Sequence, residues 1–422
     1  MKKIISIALI LILVFGYSPP AKAEIVNIAG EAAVLMEENT HEVLFEKNSN
    51  ARMYPASTTK IMTALIALEY GDPEDIIEVG QEIEWIPQDS SKAGLFVGQE
   101  IKLSDLLYGL MLPSGNDAAN TIAVHIGKKF EMDPNLSLED AFKVFIDLMN
   151  QRAKEIGADN THFTNPHGYH DKDHYTTPMD LARITREAMK YDLFKKIVGA
   201  NSYFYTYQDS NGDAQEGMWD NYNELILENS KHYYPYATGV KSGRTSKAGR
   251  CLVSSAKKDG LSLVAVVLKS NEEDIWEDSA QLLSYGFEQY KHITIPKGEV
   301  AEKVRVKNAH PKDPNEVHLI LGQDLQFNIR RMDEAKIVKK VYLEETDIEL
   351  REAESFIKAP IQKGEVIGRV VYFLGEDILG EAQLMAEHGI RRKSLIQSYW
   401  WVIILAVLFV GLLFRRRKSR SL

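Results

Sequence analysis

Ser57 and Lys60 stand three residues apart in Tyr54-Pro55-Ala56-Ser57-Thr58-Thr59-Lys60. On a helix that spacing puts a hydroxyl and an amine on one face, within hydrogen-bond reach. A hydroxyl at its ordinary pKa is a poor nucleophile, and a Lys kept neutral by burial and neighbouring cations is a base able to activate it. The same two residues also read as a helix-capping Ser beside a solvated Lys. Spacing does not decide, because Ser254 with Lys257 and Ser255 with Lys258 repeat it. Those pairs fall in a strand pattern, Gly249 to Ala256, a turn at Lys258-Asp259-Gly260, then Leu261 to Leu268, where residues three apart face opposite ways. After Pro55, by contrast, Ile61, Ala64, Leu65 and Leu68 recur at three- and four-residue steps. This predicts a helix opened by Ser57, with its Met62, Leu65, Ile66 and Leu68 in the core.

Two more short runs carry polar groups at breaks. Ser114-Gly115-Asn116 lies where one helical pattern stops at Pro113 and another starts, a loop able to present a hydroxyl and an amide into a cleft. Lys241-Ser242-Gly243 ends an apolar strand, and Gly243 permits close backbone approach. His162, His167, His170 and His174 gather with Asp171, Asp173 and Asp180. A metal site is one reading, but no His-Glu-x-x-His occurs, and a polar loop packed beside the cleft is preferred. The single Cys251 sits in a strand as a buried small apolar residue and excludes an internal disulfide.

These groups need a scaffold. Glu31 to Glu37 and Glu42 to Glu46 form a hairpin before the Ser57 helix. Ser104 caps a helix to Leu112, Asp117 starts another, Ser137 with Asp140 caps one to Ile156, and Thr177-Pro178-Met179-Asp180 opens a fourth. Strand patterns follow at Tyr203 to Tyr207, Ala237 to Ser242, Arg250 to Ser255 and Leu261 to Leu268, then an amphipathic helix at Ile275 to Tyr290. An early hairpin and late strands enclosing helices imply an α/β fold, an antiparallel sheet with packed helices and a helical insert. From Ile293 short strands separated by turn residues predict a small all-β domain.

With 422 residues, more than one folding unit is expected. Residues 1–23 read as a signal peptide, with Lys2 and Lys3, an apolar run from Ile4 to Phe15 and Ala21-Lys22-Ala23. Residues 24–291 form the first domain, 292–385 the β domain and 386–394 a stalk. Leu395 to Phe414 is apolar and ends at Arg415-Arg416-Arg417-Lys418, which predicts a transmembrane helix at 395–414 and a basic cytoplasmic tail at 415–422. The expected location is the cell membrane, single-pass, with the bulk of the chain outside. The formal charge is −10; three Lys in residues 1–23 and eight Lys or Arg in residues 391–422, with no acids in either, leave −21 between them. Such a surface repels nucleic acid and anionic lipid.

In order, on helix, loop and strand, the three runs match a Ser-x-x-Lys, Ser-x-Asn, Lys-Thr-Gly set. The chain resembles the serine D-alanyl-D-alanine carboxypeptidase family of low-molecular-mass penicillin-binding proteins. The likeness extends through Leu110 to Ala119, Asn165-Pro166-His167-Gly168, His174-Tyr175-Thr176-Thr177, Gly239 to Gly243 and Leu282 to Phe287, and into the β domain at Ala359 to Gly364. It implies a transpeptidase-like fold, a D-Ala-D-Ala-terminated peptidoglycan stem peptide as substrate, β-lactams as covalent inhibitors, and no metal or cofactor. It further implies Ser57 as nucleophile, Lys60 as general base, Ser114 as proton relay, and Asn116 holding the peptide backbone. Lys241 and Ser242 would bind the terminal carboxylate, Gly243 completes their motif, and the backbone N–H groups of Ser57 and Arg244 would form the oxyanion hole. Lys241 near Lys60 makes a second cation costly and favours the neutral base.

Ser242 stands where Thr is usual, keeping the hydroxyl without the methyl; altered packing or β-lactam affinity is expected. The family often has an Arg before the Leu-Leu-x-Tyr-Gly-Phe helix, and Asn271-Glu272-Glu273-Asp274 has none, so Arg244 is expected to supply that charge. Rival readings are a DD-endopeptidase acting on crosslinks and a non-catalytic wall-binding scaffold. A β-lactamase would need a Glu to activate the deacylating water, and none stands out.

Overall fold

The computed structural model describes residues 26–208, 214–343, 348–349, 356–394, 400–402 and 404–411. The expected signal peptide and basic tail lie outside them. Among the described residues no helix is long and apolar enough to cross a membrane. The span expected from Leu395 to Phe414 is therefore not shown; 400–402 and 404–411 are helical and the rest of it lies outside the described residues.

The chain divides into two compact units, one running to Lys258 and resuming over Ser262–Gly286, the other formed by Asp259–Leu261 and the chain from Phe287. In the first, β1 (Ala32–Glu37) and β2 (Val43–Lys47) form the expected hairpin. A 3-10 turn at Ala56–Thr59 leads into α1 (Lys60–Tyr70). A small ladder, β3 (Ile76–Glu78) with β4 (Glu100–Lys102), precedes α2 (Leu103–Met111), α3 (Asn116–Phe130) and α4 (Leu138–Glu155). Then come α5 (Pro178–Ala188), α6 (Asp192–Val198), the hairpin β5 (Ser202–Gln208) and β6 (Ala214–Asp220), β7 (Ala237–Thr245), β8 (Gly249–Lys258), β9 (Leu261–Ser270) and α7 (Ile275–Gln289).

The main sheet has the order β2-β1-β9-β8-β7, so the first and last strands of the unit pair side by side, antiparallel. β1 and most of β9 are buried on both faces, which explains their nearly unbroken apolar runs. Val34, Met36, Val264, Val266 and Leu268 face a core shared with α1 to α5. Leu35 and Leu263, on alternate positions, face the other way.

Some expectations are corrected. Ser104 is not a cap: α2 starts at Leu103 straight from β4, its first two N–H groups donate to the carbonyls of Asp75 (2.9 Å) and Pro73 (3.0 Å), and no side chain caps it. Ser137 and Thr177 do cap α4 and α5, accepting from the N–H groups of Asp140 and Asp180. The Tyr203 strand pairs in a separate hairpin instead of joining the main sheet. Lys241-Ser242-Gly243 lies within β7, which runs on to Thr245.

Between Tyr290 and residue 394 the described residues of the second unit are all-β apart from one 3-10 turn. They comprise β10 (Tyr290–Ile295), β11 (Val300–Lys307), β12 (Glu316–Leu321), β13 (Leu325–Arg330), β14 (Ile337–Leu343), β15 (Ile348–Glu349), β16 (Phe356–Lys358), β17 (Val366–Leu374) and β18 (Asp377–Ala386). β10 pairs with β13, and the other seven form one sheet. The expected stalk is tied to this unit: Ile390 bridges Ile361, Arg392 bridges Ala309, and Arg391 Nη2 donates to Asp313 Oδ1 at 2.7 Å.

Candidate active site

Ser57 sits in the 3-10 turn, half-buried, at the wall of a cleft of 1180 Å³. Its hydroxyl caps neither the turn nor α1, which removes the capping reading. The turn is held from inside. Thr58 Oγ1 donates to the Pro55 carbonyl (2.7 Å) and Thr59 Oγ1 to that of Ala56 (2.9 Å), while Ala56 adopts a φ of 50°.

One turn on, Lys60 is fully buried. Its Nζ donates to Asn116 Oδ1 (2.6 Å) and to the His167 carbonyl (3.0 Å), and lies 3.4 Å from Ser57 Oγ. Burial, joined by the charge of Lys241 and opposed by Asp117, holds its pKa well below the ordinary value. A neutral amine has two N–H groups and one lone pair. With both N–H groups taken by carbonyl oxygens, the lone pair is left for the Ser57 hydroxyl, the arrangement a base requires.

Ser114 lies in the break between α2 and α3 at a φ of 62°, and its Oγ is buried with no hydrogen-bond partner among the described residues. Backbone strain and an unsatisfied hydroxyl in a cleft wall both cost free energy, as expected at a working site. The loop is fixed by residues without a sequence signature. Ser91 Oγ donates to the Ser114 carbonyl (2.6 Å), and the Asp117 carboxylate accepts from the N–H groups of Ala93 (2.7 Å) and Gly94 (2.9 Å).

Lys241 projects from β7, the edge strand, and is 2% exposed; burial pushes its pKa down to about 7. Ser242, Gly243 and Arg244 continue the cleft wall. A Cβ at Gly243 would stand 2.8 Å from the Ser57 nitrogen, so only Gly lets β7 come this close to the Ser57 turn. Arg244 is two-thirds exposed, with Nε 3.0 Å from Glu272 Oε1.

The polar loop carrying the four His residues packs beside the turn. His174 Nδ1 accepts from the Thr164 N–H (3.0 Å), so its Nε2 is the protonated nitrogen and donates to Thr59 Oγ1 (2.8 Å). Burial takes its pKa down to about 3, and burial with the Lys60 charge takes His167 well down. Both are neutral supports. Among the described residues no three His, Cys, Asp or Glu side chains gather to hold a metal. Gly168, at a φ of 81°, would place a Cβ 1.8 Å from the Ala56 carbonyl oxygen, so this loop closes directly onto the turn. Cys251 is buried, its thiol pKa pushed up to about 11. Of the decoys, Ser254 and Ser255 are buried in β8.

Ser57, Lys60, Ser114, Asn116, Lys241, Ser242, Gly243 and Arg244 thus meet in or beside one cleft. Sequence reasoning missed Thr59, Ser91 and the supporting role of His174, whose only cue was proximity to a motif.

The model of the D-alanyl-D-alanine carboxypeptidase family matches residues 18–272, and that of the penicillin-binding protein 5 C-terminal domain matches residues 287–392. D-alanyl-D-alanine carboxypeptidase DacF of Bacillus subtilis is 31% identical over 411 residues, spanning 94% of this chain and 96% of that protein. DacA of Haemophilus influenzae is 28% identical over 405 residues, 92% and 91% of the two chains. Among solved structures, the Streptomyces K15 DD-transpeptidase superposes with a TM-score of 0.57 at 31% identity, covering 62% of this chain and 98% of its own. Penicillin binding protein 5 from Haemophilus influenzae gives 0.60 at 27%, covering 89% and 100%.

Proposed function

The chain belongs to the D-alanyl-D-alanine carboxypeptidase family, and from that premise we propose that it removes the terminal D-alanine from peptidoglycan stem peptides through an acyl-enzyme on Ser57. The observation that carries this reading is the buried Lys60 amine, bonded to Asn116 and His167 and facing Ser57 Oγ.

Lys60 Nζ takes the Ser57 proton as Oγ bonds to the carbonyl carbon of the penultimate D-Ala. The N–H groups of Ser57 and Arg244 receive the oxyanion, a kind of contact worth about 3 kcal/mol in comparable sites. As the tetrahedral intermediate collapses, the proton on Lys60 passes through Ser114 Oγ to the departing amine, and D-alanine leaves. Asn116 holds the substrate backbone, while Lys241 and Ser242 bind the terminal carboxylate. Water then attacks the ester, Lys60 takes its proton and returns it to Ser57 Oγ as the acyl–oxygen bond breaks, and the shortened peptide leaves with a new carboxylate. A β-lactam follows the first half of this course and stays bonded to Ser57.

The same proposal places the enzyme outside the cell, with the signal peptide cleaved after Ala23 and residues 395–414 as the membrane anchor; the apolar run bounded by basic residues supports it. Intact-mass measurement after penicillin treatment tests the chemistry. Wild type gains one penicilloyl group and releases D-alanine from a pentapeptide, whereas Ser57→Ala does neither; an adduct on Ser57→Ala would overturn the assignment. Fractionation of cells making the full chain and a chain ending at residue 394 tests the anchor.

A further inference from the structure

At one rim of the cleft two guanidinium groups converge on one carboxylate. Arg244 on β7 stands in direct register with Arg250 on β8, and both line the cleft that holds Ser57 and Lys241. Like charges directly opposite on neighbouring strands repel. Glu272 meets both, with Oε1 accepting from Arg244 Nε (3.0 Å) and Oε2 accepting from Nε of Arg250 and contacting its Nη2. Its backbone is set by a turn in which Asn271 Oδ1 accepts the N–H groups of Glu273 and Asp274, each at 2.9 Å. Two cations and one anion leave a net positive charge, and both terminal nitrogens of Arg244 have no partner among the described residues. The triad is partly exposed, its side chains ranging from 28% to 66%, so its ion pairs add little stability. Of the three, Glu272 alone stands in the loop before α7.

We propose that Arg244 and Arg250 extend the seat that Lys241 and Ser242 offer the carboxylate of the departing residue, and that Glu272 is a resident counter-charge which weakens that seat. The charge at position 272 then sets how tightly an anionic substrate end is held. This deepens the carboxypeptidase reading and rests on it. Guanidinium groups suit the task because their planar donors match a carboxylate and stay charged at all working pH values. An uncharged side chain at 272 leaves the seat one unit more positive, while a Gln there still offers one oxygen to orient an Arg.

The test compares wild type, Glu272→Gln and Arg250→Gln on diacetyl-L-Lys-D-Ala-D-Ala and on the same peptide with a C-terminal amide. For the free acid, KM falls about 3-fold in Glu272→Gln and rises about 10-fold in Arg250→Gln, with kcat nearly constant, as befits uniform binding of substrate and transition state. The amide shows neither change. An unchanged or raised KM in Glu272→Gln overturns the counter-charge, and equal effects on acid and amide overturn the seat. One penicilloyl group per chain in each variant shows that it is folded with a working nucleophile. Failure of wild type to label on Ser57 would instead sink the underlying carboxypeptidase reading.

Discussion

Lys60 Nζ donates to Asn116 Oδ1 at 2.6 Å, closer than the 3.4 Å that separates it from Ser57 Oγ. The amide is thus the neighbour that aims the amine. Because Asn is uncharged, it orients Lys60 without stabilising its protonated form. Replacing it by Asp places an anion against the amine and raises the pKa of Lys60. The acid limb of the pH dependence of β-lactam acylation is expected to move to higher pH in Asn116→Asp, and the rate at pH 7 to fall. Stopped-flow acylation across pH checks this; an unmoved limb would mean that Lys60 is not the titrating base.

Lys60→Arg keeps a cation but cannot supply a base, since a guanidinium does not lose its proton in proteins. A loss of about 10²–10⁴ in acylation rate is expected, the range for a general base. Quantitative penicillin labelling measures it, and retention of more than a tenth of the rate would exclude the role.

Lys241 couples the site to stability. Its pKa falls from 10.5 to about 7 on burial, so between those values the unfolded chain binds more protons than the folded one. Stability from this group therefore rises with pH, is complete above 10.5, and is lost as the pH falls through 7. The melting temperature of wild type relative to Lys241→Met is expected to increase from pH 7 to pH 10. A difference that is flat or reversed would show that the amine is not charged at a cost.

How far the sequence carries this picture depends on whether a signal is local. That Ser57 and Lys60, Ser114 and Asn116, and Lys241 to Gly243 meet at one cleft was legible because these polar side chains cluster in short runs beside predictable breaks. Caps at Ser137 and Thr177 were legible because both partners lie within one turn. Ser91, Asp117 and His174 act across loops; the His174 loop was read as lying beside the cleft, but the individual partners of all three are fixed only by the fold. Ser104 misled for the same reason: its competitors for the helix end, Pro73 and Asp75, are distant in sequence.

His174 is a positioning residue. Its Nε2–H steadies Thr59, whose hydroxyl holds the Ala56 carbonyl next to Ser57. His174→Ala is expected to lower the acylation rate about 10-fold, consistent with a displaced reacting group. His174→Gln, which restores an N–H donor, should recover part of it. Equal rates in both variants at equal melting temperatures would leave packing as the whole effect.

Two glycines separate damage to chemistry from damage to the fold. At Gly168 an added Cβ meets the Ala56 carbonyl oxygen at 1.8 Å, and the φ of 81° is itself unfavourable for Ala by about 1–3 kcal/mol. Gly168→Ala is expected to lose both melting temperature and acylation, since the loop and the nucleophile turn must part. At Gly243 the added Cβ meets the Ser57 nitrogen at 2.8 Å without backbone strain, in front of one proposed oxyanion donor. Gly243→Ala should therefore lose less melting temperature than Gly168→Ala, because β7 has to give way only slightly, yet acylate about 10²–10³-fold more slowly, the cost of losing one such donor. Calorimetry beside penicillin labelling distinguishes them. A Gly243→Ala enzyme that acylates normally would mean that the Ser57 N–H does not face the reacting carbonyl, and the oxyanion site would have to lie elsewhere along β7.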